Sequence, residues 1–274
     1  MNLRYANTKS FKCITLKAVM KDEKIGLILI ALILLVSEIS YTMIDISFGL
    51  YCYGIVVAGI IISLIFTDQS RNINQLLQAI MILPVIRFVG SCMPIRELSP
   101  FLRVPIVYLT FFIPVLIVFY YSDLDSFQIG IKKKGLYLFP VAIILGAILG
   151  FVEYNILAPE RMVNELTFEN IFIGIVNIAI VTGFIEEFMF RGLIQNFSKN
   201  IFKKSYILYT NIIFATMHLV WGSYIEIGFV FLTGILVSFI YIKTKNLIIV
   251  STIHASINFF LYIIYPILGV SLFV

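Results

Sequence analysis

Apolar residues run through this chain in long blocks, separated by short polar connections rather than alternating with polar positions. A block of about 20 apolar residues crosses a bilayer as a helix. Nine such blocks are legible, at roughly 25–41, 48–66, 73–93, 101–121, 136–153, 168–191, 205–221, 224–242 and 246–266. They predict an all-α, polytopic integral membrane protein of about eight to nine transmembrane helices. The connection between the first two blocks is short enough for a tight hairpin. Pro84 and Arg87 interrupt the third block, "QLLQAIMILPVIRFVG", which predicts a kinked or partly interfacial segment. "GAILG", residues 146–150, has the glycine spacing of closely packed membrane helices.

The longest polar stretch after the N-terminal one is "SDLDSFQIGIKKKG", residues 122–135. It divides the chain into N-terminal transmembrane helices within 1–125 and a C-terminal helix bundle over 136–265. No internal repeat is legible, which counts against a transporter built by duplication.

Composition agrees with the pattern. The chain of 274 residues is 61% hydrophobic and 13% charged, and its mean hydropathy is +1.03. A soluble protein has roughly a quarter of its residues charged, so no sizeable soluble domain fits. The net charge of +5 does not point to nucleic acid, because the basic residues sit in short connections, where membrane topology places them. With the N-terminus in the cytoplasm, fifteen Lys and Arg fall on that side: six before the first span, Arg71, Lys132 to Lys134, Lys199, Lys203, Lys204, Lys243 and Lys245. Three, Arg96, Arg103 and Arg161, fall outside. This predicts a multi-pass protein of the cell membrane with a cytoplasmic N-terminus. The first apolar run is followed by no small-residue cleavage site, so an uncleaved first helix is expected. Cys13, Cys52 and Cys92 lack metal or redox spacing.

Ionisable residues inside spans are costly and default to functional candidates. Glu38 and Glu153 lie near span ends and Glu226 begins a span, so solvation at the membrane surface accounts for them. Arg87 is expected to snorkel or to mark an interfacial segment. Glu186, Glu187, Arg191, His218 and His254 have no such account. Glu186 and Glu187 are adjacent and point about 100° apart on a helix. Glu187 and Arg191 are at i, i+4 in the favoured order, which predicts an ion pair. Glu186 is left on another face, free to act as base and acid. His218 and His254 are the two histidines of the chain and fall on separate helices. His254 and Asn258 share one helix face.

These residues form three ordered motifs: "EEFMFR" with Glu186, Glu187 and Arg191, "FATMH" with Phe214 and His218, and "HASIN" with His254 and Asn258. The chain thereby resembles the CAAX protease and bacteriocin-processing family, also called the type II CAAX prenyl endopeptidase (Rce1-like) or Abi family. The resemblance covers about residues 136–265. It implies an intramembrane glutamic endopeptidase that needs no cofactor. Glu186 would activate a water with help from His218, His254 and Asn258 would donate to the oxyanion, and Glu187 and Arg191 would order the site. The implied partners are the lipid bilayer and a membrane-associated peptide or protein: a prenylated CAAX-like C-terminus, a leader peptide or another such segment. The reaction is expected in the cytoplasmic half to middle of the membrane. Two alternatives stay open. One is a zinc-dependent membrane protease, since Glu and two His can ligate zinc, although His-Glu-x-x-His is missing. The other is a non-catalytic immunity protein or transporter.

Overall fold

The structure is a computed structural model that describes residues 23–66, 69–92, 97–98, 100–163 and 165–269. Arg96, Cys13 and all the N-terminal basic residues except Lys24 lie outside the described residues. The regular structure among the described residues is entirely helical, and the protein is an all-α polytopic membrane protein.

In chain order the helices are α1 (Glu23–Ile39), α2 (Ile46–Phe66), α3 (Arg71–Cys92) and α4 (Pro100–Tyr120). Then come α5 (Phe139–Leu157), α6 (Phe168–Ile173), α7 (Gly183–Glu187), α8 (Gln195–Phe202), α9 (Tyr206–Met217), α10 (Tyr224–Thr244), α11 (Leu247–Phe259) and α12 (Tyr265–Leu268). α1 runs on through a widened π turn to Ile44, and Asp45 alone separates it from α2. The tight hairpin forms, and Gly49 permits it: a Cβ there would meet Tyr41 Cα at 2.3 Å.

Seven helices among the described residues are long and apolar enough to cross a membrane. The other two expected spans differ from that description. Residues 168–202 form one helical path in which π turns at Gly174–Thr182 and Phe188–Ile194 join α6, α7 and α8. This path carries the charged motif. α9 has 12 residues, about 18 Å at 1.5 Å per residue, against a hydrocarbon core of about 30 Å. It ends in the tight turn His218–Trp221 and stops at Gly222, whose φ of +68° suits glycine.

The bundle is greasy outside as well as inside. Ile55, Ile113, Ile144 and Leu232 are all exposed, as lipid contact requires and water would penalise. One hydrophobic core joins both halves of the chain, from Leu27 and Ile80 to Met189, Leu193 and Val250.

One end of the bundle is pinned by its connections. Asn246 caps α11, its Oδ1 accepting from Ile248 N at 2.9 Å. Its Nδ2 donates to the carbonyl oxygens of Lys132 at 3.2 Å and Lys134 at 2.6 Å. Leu247 N donates to Gly130 O at 2.9 Å. Lysines gather at this end: burial, with the charges of Lys199 and Lys132, pushes the Lys245 ammonium down.

Four of the surface assignments are corrected. Glu38 and Glu226 are wholly buried and Glu153 is 8% exposed; none is solvated at an interface. Arg87 does not snorkel: it pairs with Glu38, Nη2 to Oε1 at 2.5 Å and Nε to Oε2 at 3.1 Å, and donates to Met217 O at 2.8 Å. Tyr53 also donates to Glu38. Proximity to a span end proved a poor guide because Glu38 and Arg87 satisfy each other inside the bundle.

Candidate active site

Glu186 and Glu187 sit on α7, between the two π turns. A glycine sets how near this turn comes to α11. A Cβ on Gly183 would stand 2.7 Å from Ala255 N and 2.9 Å from Ala255 Cα. Its absence lets the two glutamates reach the adjoining His254.

Glu187 is engaged through one oxygen, Oε1, while its Oε2 is buried without a hydrogen-bond partner. Its Oε1 accepts from Arg191 Nη1 at 2.9 Å, so the i, i+4 pair forms as the spacing predicts. The same oxygen accepts from His254 Nδ1 at 2.9 Å, a contact the spacing did not show. Arg191 is wholly buried. Its Nη2 donates to Gly234 O at 3.0 Å and to Asn211 Oδ1 at 3.3 Å. The guanidinium lies over the Phe214 ring, 4.6 Å from its centre. This gives the motif's aromatic residue a physical task. Gly234 makes room for the arrangement, since a Cβ there would lie 2.4 Å from Asn211 Oδ1.

Glu186 has a different setting. Its Oε1 accepts from the Tyr108 hydroxyl at 2.5 Å. Its Oε2 lies 3.7 Å from His254 Nε2, longer than a direct hydrogen bond. Glu186 is therefore not the unpartnered carboxylate that the sequence implied. Tyr108 comes from α4, in the half of the chain without a motif. A tyrosine in the apolar run "VPIVYLTFF" gives no local sign of a role. The one cue is that a buried phenol usually finds a polar partner.

His218 opens the turn after α9. A carbonyl oxygen can only accept, so His218 Nδ1–H donates to Phe214 O at 3.0 Å. In the neutral ring Nε2 is then the acceptor. By the same logic His254 Nδ1 carries a proton toward Glu187, and Nε2 donates only when the ring holds both protons. Asn258 Nδ2 donates to Thr182 Oγ1 at 2.8 Å, which fixes the amide; Thr182, too, was not singled out by the sequence.

Glu186, His218, His254 and Asn258 all line one cavity of about 460 Å³, within the range of small-molecule sites. Its wall also includes Arg103 near the start of α4, Met162 in the α5–α6 connection and Trp221 at the end of the α9 turn. These lie at the ends of their helices opposite the lysine cluster. No residue of the lysine-bearing connections is part of the wall. Among the described residues, no group of three or more His, Cys, Asp and Glu side chains is arranged to hold a metal ion.

No curated protein and no solved structure matches the chain. A family model does match, over residues 168–260, the segment that holds Glu186, His218, His254 and Asn258. Over that segment the chain is similar to the type II CAAX prenyl endopeptidase Rce1-like family, as its three motifs indicate.

Proposed function

We propose that this protein is an intramembrane glutamic endopeptidase of the CAAX-protease type. The observation that supports this most is the sharing of one cavity by Glu186, His218, His254 and Asn258, with the neighbouring Glu187 held by Arg191 and His254. One carboxylate is free to exchange a proton while the other organises the site.

The chemistry follows from the atoms. A water beside Glu186 Oε2 gives up a proton to that carboxylate as its oxygen attacks the scissile carbonyl carbon. The neutral His218 Nε2 accepts a hydrogen bond from the same water and orients it. The carbonyl oxygen becomes an oxyanion. The Asn258 amide and His254 Nε2, the latter in the doubly protonated ring, donate to it. In that form His254 has Glu187 and Glu186 as counter-charges on its two nitrogens. The C–N bond then breaks and the proton held by Glu186 passes to the leaving nitrogen. The products are one carboxylate and one amine.

The wall of the cavity favours access from the end bearing Arg103, Met162 and Trp221. The bias of fifteen basic residues against three puts the opposite end in the cytoplasm. The substrate is then a peptide or protein segment presented at the outer leaflet, such as an exported leader or a membrane-bound C-terminus, rather than one reached from the cytoplasmic half of the membrane as helix lengths in the sequence implied.

Purified wild-type and E186Q protein in liposomes provide the test, with a peptide library read by mass spectrometry. Wild-type cleavage and a loss of at least about 100-fold in E186Q, at an unchanged unfolding temperature, is the expected result. Equal rates overturn the reading.

A further inference from the structure

Two buried carboxylates take no part in this chemistry. Glu153, on α5, lines the cavity. Glu226, in the first turn of α10, is wholly buried, and neither Oε1 nor Oε2 has a hydrogen-bond partner. The two side chains are close enough to interact directly. Among the described residues, the ion pairs engage Asp123, Glu38, Glu187 and Glu186 instead, so no cationic side chain compensates this pair. Buried carboxylates without a counter-charge are strongly unfavourable.

Their place relative to the site is set by close packing. α5 lies against α11 at two glycines. A Cβ on Gly146 would stand 2.4 Å from Ser256 Cβ, and one on Gly150 would stand 2.8 Å from Ile257 O. Glu153, three residues on from Gly150, lies on the same face of α5. On the other side, His254, Asn258 and Tyr262 recur at four-residue intervals, and all three line the cavity. Gly146 meets Ser256 and Gly150 meets Ile257, so the two helices advance in the same direction and Glu153 lies about one turn beyond Ile257, near the level of Tyr262. That is roughly 12 Å along the helix from His254, toward the open end.

A carboxyl pair with Glu153 on the cavity wall, Glu226 buried behind it and no cationic side chain beside them would gain a counter-charge from a cationic occupant. An extended peptide advances about 3.4 Å per residue. We propose that Glu153 and Glu226 form a subsite for a Lys or Arg side chain of the substrate, roughly three to four residues from the bond cut. The subsite would deepen the protease reading by naming its substrate class: apolar, membrane-delivered segments with one basic residue near the cut. It rests on that reading for the position of the cut, though the binding of a basic residue does not depend on catalysis.

The experiment uses N-acetylated decapeptides of neutral sequence in which one lysine is walked along the chain, each paired with its norleucine counterpart. Acetylation removes the terminal amine as a rival cation. Wild-type protein is expected to favour lysine at one position by about tenfold in kcat/KM. E153Q and E226Q should lose that preference, each variant's rate on the norleucine peptides serving as its own reference. An unchanged lysine-to-norleucine ratio in E153Q overturns the proposal and makes the pair a purely structural one. In a second arm, E186Q protein binds the same peptides carrying fluorescein. Tighter binding of the lysine peptide by about tenfold supports the subsite even if the wild type cuts nothing, a result that would count against the protease reading alone. Equal binding of the two peptides overturns the subsite.

Discussion

At the scale of single residues, the proposed site divides its labour between two adjacent carboxylates. Glu187 is held by Arg191 and His254, while Glu186 takes its one hydrogen bond from Tyr108. Removing that phenol hydroxyl tests whether it positions the proposed base. Tyr108→Phe is expected to lower kcat by about 10- to 100-fold, from the loss of a hydrogen bond to a charged group, with KM nearly unchanged. Arg191 makes the opposite kind of contribution. Arg191→Leu strands Glu187 and the Gly234 carbonyl in the interior, and should destabilise the fold by about 3–5 kcal/mol, read as a lower unfolding temperature in detergent. The i, i+4 spacing made the Glu187–Arg191 pair legible in the sequence. Tyr108 was not, because its partner is 78 positions away and a hydroxyl in an apolar run leaves no periodic trace.

At the scale of elements, glycines decide which helices touch. Gly146 and Gly150 let α5 approach α11, and Gly183 brings α7 to it from another side. Gly146→Ala must push the Ile253 carbonyl away from 2.6 Å and should destabilise by about 1–3 kcal/mol. Gly59→Ala on α2 has nothing within 4 Å of the new Cβ and should be neutral or slightly stabilising, since alanine is the better helix former. Comparing the two unfolding temperatures separates close packing from general glycine chemistry. The "GAILG" spacing announced the first contact. The π turns that flank Glu186 were not legible, since apolar periodicity over one or two widened turns differs little from an ordinary helix.

At the scale of the molecule, the N-terminal helices are part of the site's frame. α4 supplies Tyr108, and α1 and α3 supply the Glu38–Arg87 pair, whose guanidinium holds the Met217 carbonyl beside His218. Block length in the sequence revealed these helices but not their attachment, because Glu38 and Arg87 are 49 residues apart. The proposed orientation has a direct check. In a cysteine-free background, Met162→Cys should react with a membrane-impermeant maleimide added to intact cells, and Lys133→Cys should react only after permeabilisation. The reverse pattern would place the open end of the cavity in the cytoplasm.

No residue of the lysine-bearing connections lines the cavity, and Asn246, Leu247 and Gly130 tie those connections together beyond it. Under the proposed activity this has a kinetic consequence, since the way in and the way out are then the same. A peptide that goes in tip first would be severed near that tip, and the clipped piece would sit behind the remainder until the remainder withdraws. Turnover would be governed by that escape. The short fragment, added back in excess, should slow the reaction as a competitor, and mid-chain bonds of long segments should be spared.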